Sequence, residues 1–172
     1  MNIFVLDLDP VKAARAMDCV RVPKMVTESA QMMASALRRH GATDEDMPLT
    51  KSGTPYKGGY HQHPCTVWAG DTRSNYDWLG QHALALLNEY QLRFNKVHAC
   101  TIPICDMIFM SHYVGDVLPD GVLTPFAQAM PDEYRNDDPV VAYRAYYHSK
   151  QFAKWEKGTP APDWWRGTEV TA

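Results

Sequence analysis

Glu28 lies in the run "PKMVTESAQMMASALRRHG", where Lys24, Glu28, Gln31, Ser35 and Arg38 follow one another at steps of four, three, four and three. On a helix these residues form one polar stripe. A carboxylate and an amide on the floor of a polar cleft can move a proton and read a base edge. The same stripe also fits a solvated face with a Lys24–Glu28 ion pair. We take Glu28 and Lys24 as candidate catalytic residues and Gln31 as a candidate contact to a base. Met25, Met32, Met33 and Leu37 lie beside the stripe and are expected in the core.

Two further clusters carry chemistry. In "GGYHQHPC", His61, His63 and Cys65 alternate as metal ligands can in an extended loop. The sequence signposts no fourth ligand, so no metal and no cofactor is expected, and His63 is taken as a catalytic or phosphate contact. The flanking "TKSGTPYKGGY" supplies Lys57, with Lys51, Tyr56 and Tyr60, on flexible backbone. Lysines and backbone N–H groups hold phosphates, and tyrosines stack on bases. In "AYRAYYHSK", Tyr143, Tyr147 and Lys150 share a stripe that continues to Lys154, with Arg144 and His148 beside it. Tyr143, Arg144, Tyr146, Tyr147 and Lys150 are the candidate DNA contacts. Val141, Ala145, Ser149 and Phe152 are the expected core side of that helix. Lys24, Glu28, His63 and Arg144 are expected to line one cleft.

The elements that must position these residues read as mostly helical. "NIFVL" is a short β-like run. Asp9 and Pro10 open a short helix, and Pro23 opens a stronger one that Gly41 stops. Residues 42–65 read as loop. A third helix spans about Thr72 to about Phe94, with Asp71 as cap and Trp78, Leu79, Ala83, Leu86 and Leu87 at helical spacing. It is expected to pack on the helix from Pro23. "HACTIPICDMIFMSHY" is ambiguous because of Pro103. Residues 114–138 read as mostly loop, and Pro139 opens a last helix to about Lys154. The tail, with Trp164 and Trp165, is expected to fold back onto the body. The fold class is mostly α: a compact, single-domain helical fold over 1–172 with long loops.

Composition narrows the class. The 172 residues carry a net charge of −3, which argues against coating nucleic acid by bulk charge and leaves room for a local basic groove. No 18-residue apolar run exists and no secretory leader is read in "MNIFVLDLDP", so no membrane contact is expected. The four cysteines have no framework spacing and read as reduced thiols of a cytoplasmic protein.

Together "MNIFVLDLDP", "KMVTESAQMM", "HPCTVWAGDTRSNYDWL", "AMPDEYR" and "AYRAYYHSKQFAKW" resemble a family of small bacteriophage proteins over nearly the whole chain. More remotely the chain resembles the phage pyrimidine-dimer DNA glycosylases of the endonuclease V family. The shared cues are the short N-terminal run, a helix opened by "VP", the "H…YDWL…EY" helix and the aromatic-basic "YRAYY" helix. The resemblance implies a compact helical fold that flips a nucleotide out of a DNA duplex. It also implies an N-terminal threonine α-amine as nucleophile, with a glutamate just ahead of the "LP"-type helix start. Here the chain reads Met1-Asn2, and Arg21 stands ahead of "VP". The leading expectation is therefore a changed reaction on the same scaffold: a DNA base hypermodification transferase that places an amino acid or amine on activated 5-hydroxymethyluracil. The alternatives are a pyrimidine-dimer glycosylase/AP lyase with another nucleophile, and a non-catalytic DNA-binding or host-inhibitor protein. The expected partners are double-stranded phage DNA with a modified pyrimidine and a small amine donor. The expected state is a monomer in the infected cell's cytoplasm.

Overall fold

The computed structural model describes residues 1–113 and 118–168. Short polar caps start its helices where the sequence places them. In α1 (Pro10–Arg15), Asp9 accepts from the N–H groups of Val11 and Lys12 ahead of a proline in the first turn. The second helix, α2 (Arg21–Arg39), begins two residues before Pro23. The proline is tolerated there because first-turn N–H groups have no intrahelical partner. Asp18 Oδ1 takes the Val20 and Arg21 N–H groups instead.

A short helix, α3 (Pro64–Ala69), interrupts what reads as loop, with His63 as its cap. It is followed by α4 (Arg73–Phe94), capped by the Thr72 hydroxyl rather than by Asp71, and ended by Asn95 in the left-handed region. The ambiguous stretch is helical as α5 (Thr101–Tyr113); Pro103 falls in its first turn and removes no intrahelical bond. A 3₁₀ turn (Asp132–Tyr134) precedes α6 (Pro139–His148), which Asp138 caps and which ends well before Lys154.

The expected packing of the Pro23 helix on the Thr72 helix is present: α2 runs against α4, and α1, α3 and α5 pack on that pair. Met25, Met32, Met33 and Leu37 of α2 meet Trp78, Leu79, Ala83, Leu86 and Leu87 of α4 in the core. No described helix is long and apolar enough to cross a membrane.

Two expectations are overturned. The β-like run at 2–6 is not a strand. Its residues are buried, but Phe4 has φ +39° and Leu6 N–H donates to Phe4 O, a tight turn with no neighbouring strand to pair. The only bridge among the described residues joins Leu49 and Pro55. The inner face of α6 is also the reverse of that expected. Tyr143 and Tyr147 are fully buried, whereas Val141 and Phe152 are 50% and 76% exposed. The larger rings win the interior because their hydroxyls find partners there. Tyr143 donates to Ala127 O at 2.6 Å, and Tyr147 donates to the Asp18 carboxylate. The tail folds back as expected, with Trp164 and Trp165 edge-on to Tyr147.

Candidate functional site: an amine and a carboxylate at the chain start

Asn2 fixes the site. Its Oδ1 accepts from the Ile3 and Phe4 N–H groups at 2.8 and 3.0 Å, and its Nδ2 donates to Ala129 O at 3.0 Å. This side-chain turn lays the start of the chain across α2. The Met1 α-amine then lies 3.5 Å from Glu28 Oε2, and the Asn2 N–H donates to the same oxygen at 2.9 Å. The other oxygen, Oε1, faces Lys24 Nζ at 3.6 Å. The Glu28 side chain is 12% exposed, so a largely covered carboxylate meets an ammonium on each side.

His63 stands in the field of this pair. Its Nδ1 accepts the Cys65 N–H at 3.2 Å, so the neutral ring carries its proton on Nε2. Burial lowers its pKa, the α-amine charge lowers it further, and Glu28 pulls it partly back. Cys65 is buried with its Sγ 3.9 Å from the Tyr143 hydroxyl. Burial pushes its thiol up to about 12, which keeps it protonated and a poor metal ligand. His61 is exposed. No cluster of three His, Cys, Asp or Glu suited to a metal occurs among the described residues.

A basic, aromatic rim adjoins the amine. Phe4, three residues from it, lies parallel to Tyr146 with centroids 6.2 Å apart. Lys150 Nζ sits 3.3 Å from the Tyr146 ring centroid. Burial, and then the charges of Arg21 and Lys24, lower the Lys150 pKa to about 8. These three cations therefore share one neighbourhood. Arg21 is anchored there by an ion pair from Nη1 to Asp18 Oδ2 at 2.8 Å. Pro64, Phe126, Gln128, Arg135, Asn136 and Asp137 line a cleft of about 520 Å³ that includes neither His63 nor Glu28.

The structure thus gathers Glu28, Lys24, His63, Tyr146 and Lys150, with Gln31 half-buried one turn beyond Glu28. Other expected contacts lie elsewhere. Tyr143 and Tyr147 have no face open to a base. Lys57 pairs with Asp44 at 2.7 Å, and Arg38 joins the same carboxylate. Arg144 donates from Nε to Leu6 O and covers Trp164 on another flank of α6. What residue reading missed is the α-amine itself, together with Asn2, Phe4 and Arg21. The one signal for the amine is the family resemblance, against which stand Met1-Asn2 in place of an N-terminal threonine and Arg21 in place of the glutamate. The helix supplies one instead from position 28, nearly two turns later.

An α-amine against a helix carboxylate, in a mostly helical fold with a basic rim, pairs a nitrogen with a group able to accept its proton. The family model described as pyrimidine dimer DNA glycosylase matches residues 1–101, from the amine through α4. The chain belongs to that family. No curated protein and no solved structure matches it.

Proposed function

We propose that the protein is a DNA glycosylase that acts on a flipped pyrimidine nucleotide through its N-terminal α-amine. The observation that carries this reading is the α-amine 3.5 Å from Glu28 Oε2. In the reaction, the amine gives up a proton, for which Glu28 Oε2 is the nearest acceptor. The amine nitrogen then bonds to C1′ of the flipped nucleotide, and the glycosidic bond breaks with its electron pair leaving on the base. Opening of the sugar ring converts the adduct to an imine, and loss of a proton from C2′ expels the 3′ phosphate. In this reading neutral His63 offers a hydrogen bond from Nε2–H to the departing base or the ring oxygen. Lys24, Arg21 and Lys150 neutralise phosphates.

The mechanism requires a free α-amine at Met1, or at Asn2 after loss of Met1. The hypermodification transferase expected from the sequence uses the same rim but has no observation of its own in its favour. The test compares two substrates: duplex DNA containing pyrimidine dimers, and duplex DNA containing activated 5-hydroxymethyluracil with an amine donor. The glycosylase reading expects strand scission at dimers that Glu28→Gln abolishes. Amine incorporation without scission establishes the transferase instead, and binding without turnover establishes a non-catalytic DNA-binding protein.

A further inference from the structure

We propose that Arg144, Arg166 and the 167–168 backbone form a second anion site, built for a phosphate group and separate from the Glu28 site. Arg144, Ala145, His148, Trp164, Arg166, Gly167 and Thr168 enclose a pocket of about 360 Å³. Among the described residues its lining holds two arginines and a histidine and no carboxylate.

Arg144 is oriented for the task. Its Nε is committed to Leu6 O at 2.9 Å, and its guanidinium lies 5.3 Å from the Trp164 ring centroid. Nη2 faces Asp7 Oδ2 at 3.8 Å, which leaves Nη1 without a partner among the described residues. Arg166 is exposed and has no ion pair or hydrogen bond among the described residues. Arg166 and Arg144 line the same pocket, and guanidinium forks match phosphate oxygens.

The tail backbone adds donors. Gly167 has φ +101°, and neither its N–H nor that of Thr168 has a hydrogen-bond partner among the described residues. Successive free N–H groups at a positive-φ residue are a common anion cradle. The tail is held in place by His148, whose Nδ1 donates to Gly167 O at 2.9 Å and whose ring stacks on Trp165 at 4.9 Å. Thr168 Oγ1 donates to Lys150 O at 3.3 Å. The pocket is therefore preformed. Every residue of it lies beyond the family match, which ends at residue 101.

The phosphate can be a free phosphate ion or a phosphodiester of bound DNA, and the latter source rests on the DNA reading above. The experiment uses Arg166→Gln, since Arg166 is exposed and has no ion pair or hydrogen bond among the described residues. Inorganic phosphate is titrated against the intact protein by NMR, following Gly167, Thr168 and the Trp164 indole. Separately, duplex DNA affinity is measured against salt. If phosphate alone shifts these resonances and the variant weakens the effect at least tenfold, the site takes the free ion. If phosphate does nothing but the variant lowers the slope of log K against log salt by about one unit, the occupant is a DNA phosphodiester. Unchanged resonances together with an unchanged salt slope overturn the site. The phosphate arm contains no DNA, so it stands or fails independently of the glycosylase chemistry.

Discussion

At the scale of single residues, Glu28 is the centre of the account. One oxygen receives the α-amine and the Asn2 N–H, and the other faces Lys24. Glu28→Gln keeps the shape and removes the proton acceptor. It is expected to cut turnover by at least a hundredfold, within the range for loss of a general acid–base group. DNA affinity should stay equal or rise, because a negative charge near phosphates is gone. Equal turnover in single-turnover assays contradicts the assignment.

His82 gives a prediction of another kind. It is fully buried against Trp78, and neither ring nitrogen has a hydrogen-bond partner among the described residues. Burial lowers its pKa to about 3, whereas the unfolded chain titrates near 6.5. As pH falls below about 6.5 the unfolded state takes up a proton that the folded state refuses. Stability contributed by neutral His82 is thus complete above that pH and is lost as pH falls toward about 3. The slope is on the order of 1 kcal/mol per pH unit. Urea unfolding at pH 7 and pH 5 should show this drop, and His82→Phe should shrink it; an equal drop in the variant refutes the cause.

At the scale of elements, much was legible because helix signals are local. Asp9-Pro10 and Asp138-Pro139 mark starts, and the Met and Leu stripes of α2 and α4 mark buried faces. The errors have one physical origin. Residues 2–6 are apolar enough for a strand, but strand formation depends on a partner that the sequence cannot display locally. Likewise Tyr143 and Tyr147 face inward because Ala127 O and the Asp18 carboxylate, distant in sequence, satisfy their hydroxyls. The candidate site was half legible for the same reason. Glu28, Lys24 and His63 are visible by type and spacing, whereas their grouping around the amine depends on the Asn2 turn and its bond to Ala129.

The loop carrying Lys57 shows how an element can be tied by one glycine. Gly58 has φ +76°, and a Cβ there would lie 2.3 Å from Ser35 Oγ, which itself bonds the Gly59 N–H and carbonyl. Gly58→Ala combines backbone strain with overpacking. We expect a loss of at least about 2 kcal/mol in denaturant unfolding, from the sum of those two costs. Gly53→Ala, also at positive φ but with nothing within 4 Å of the added carbon, should lose less.

At the scale of the whole molecule, a net-acidic chain still gathers cations locally. Arg38 and Lys57 share the Asp44 carboxylate, and Arg39 pairs with Asp71. Arg21, Lys24 and Lys150 gather on the side of the amine, and Arg144 with Arg166 lines a pocket on another flank of α6. The family-matched segment supplies the amine, Glu28 and His63. The remainder supplies Ala129, which holds Asn2, and the Tyr146–Lys150 rim. Neither segment completes the site without the other.

The most direct measurement is borohydride trapping on duplex DNA with a single abasic site, followed by peptide mass mapping of the adduct. The account predicts a covalent adduct on the α-amine of the N-terminal peptide, absent when two extra residues are placed ahead of Met1. Failure to trap any adduct, or an adduct on Lys24 or Lys150 that persists in the extended chain, contradicts it.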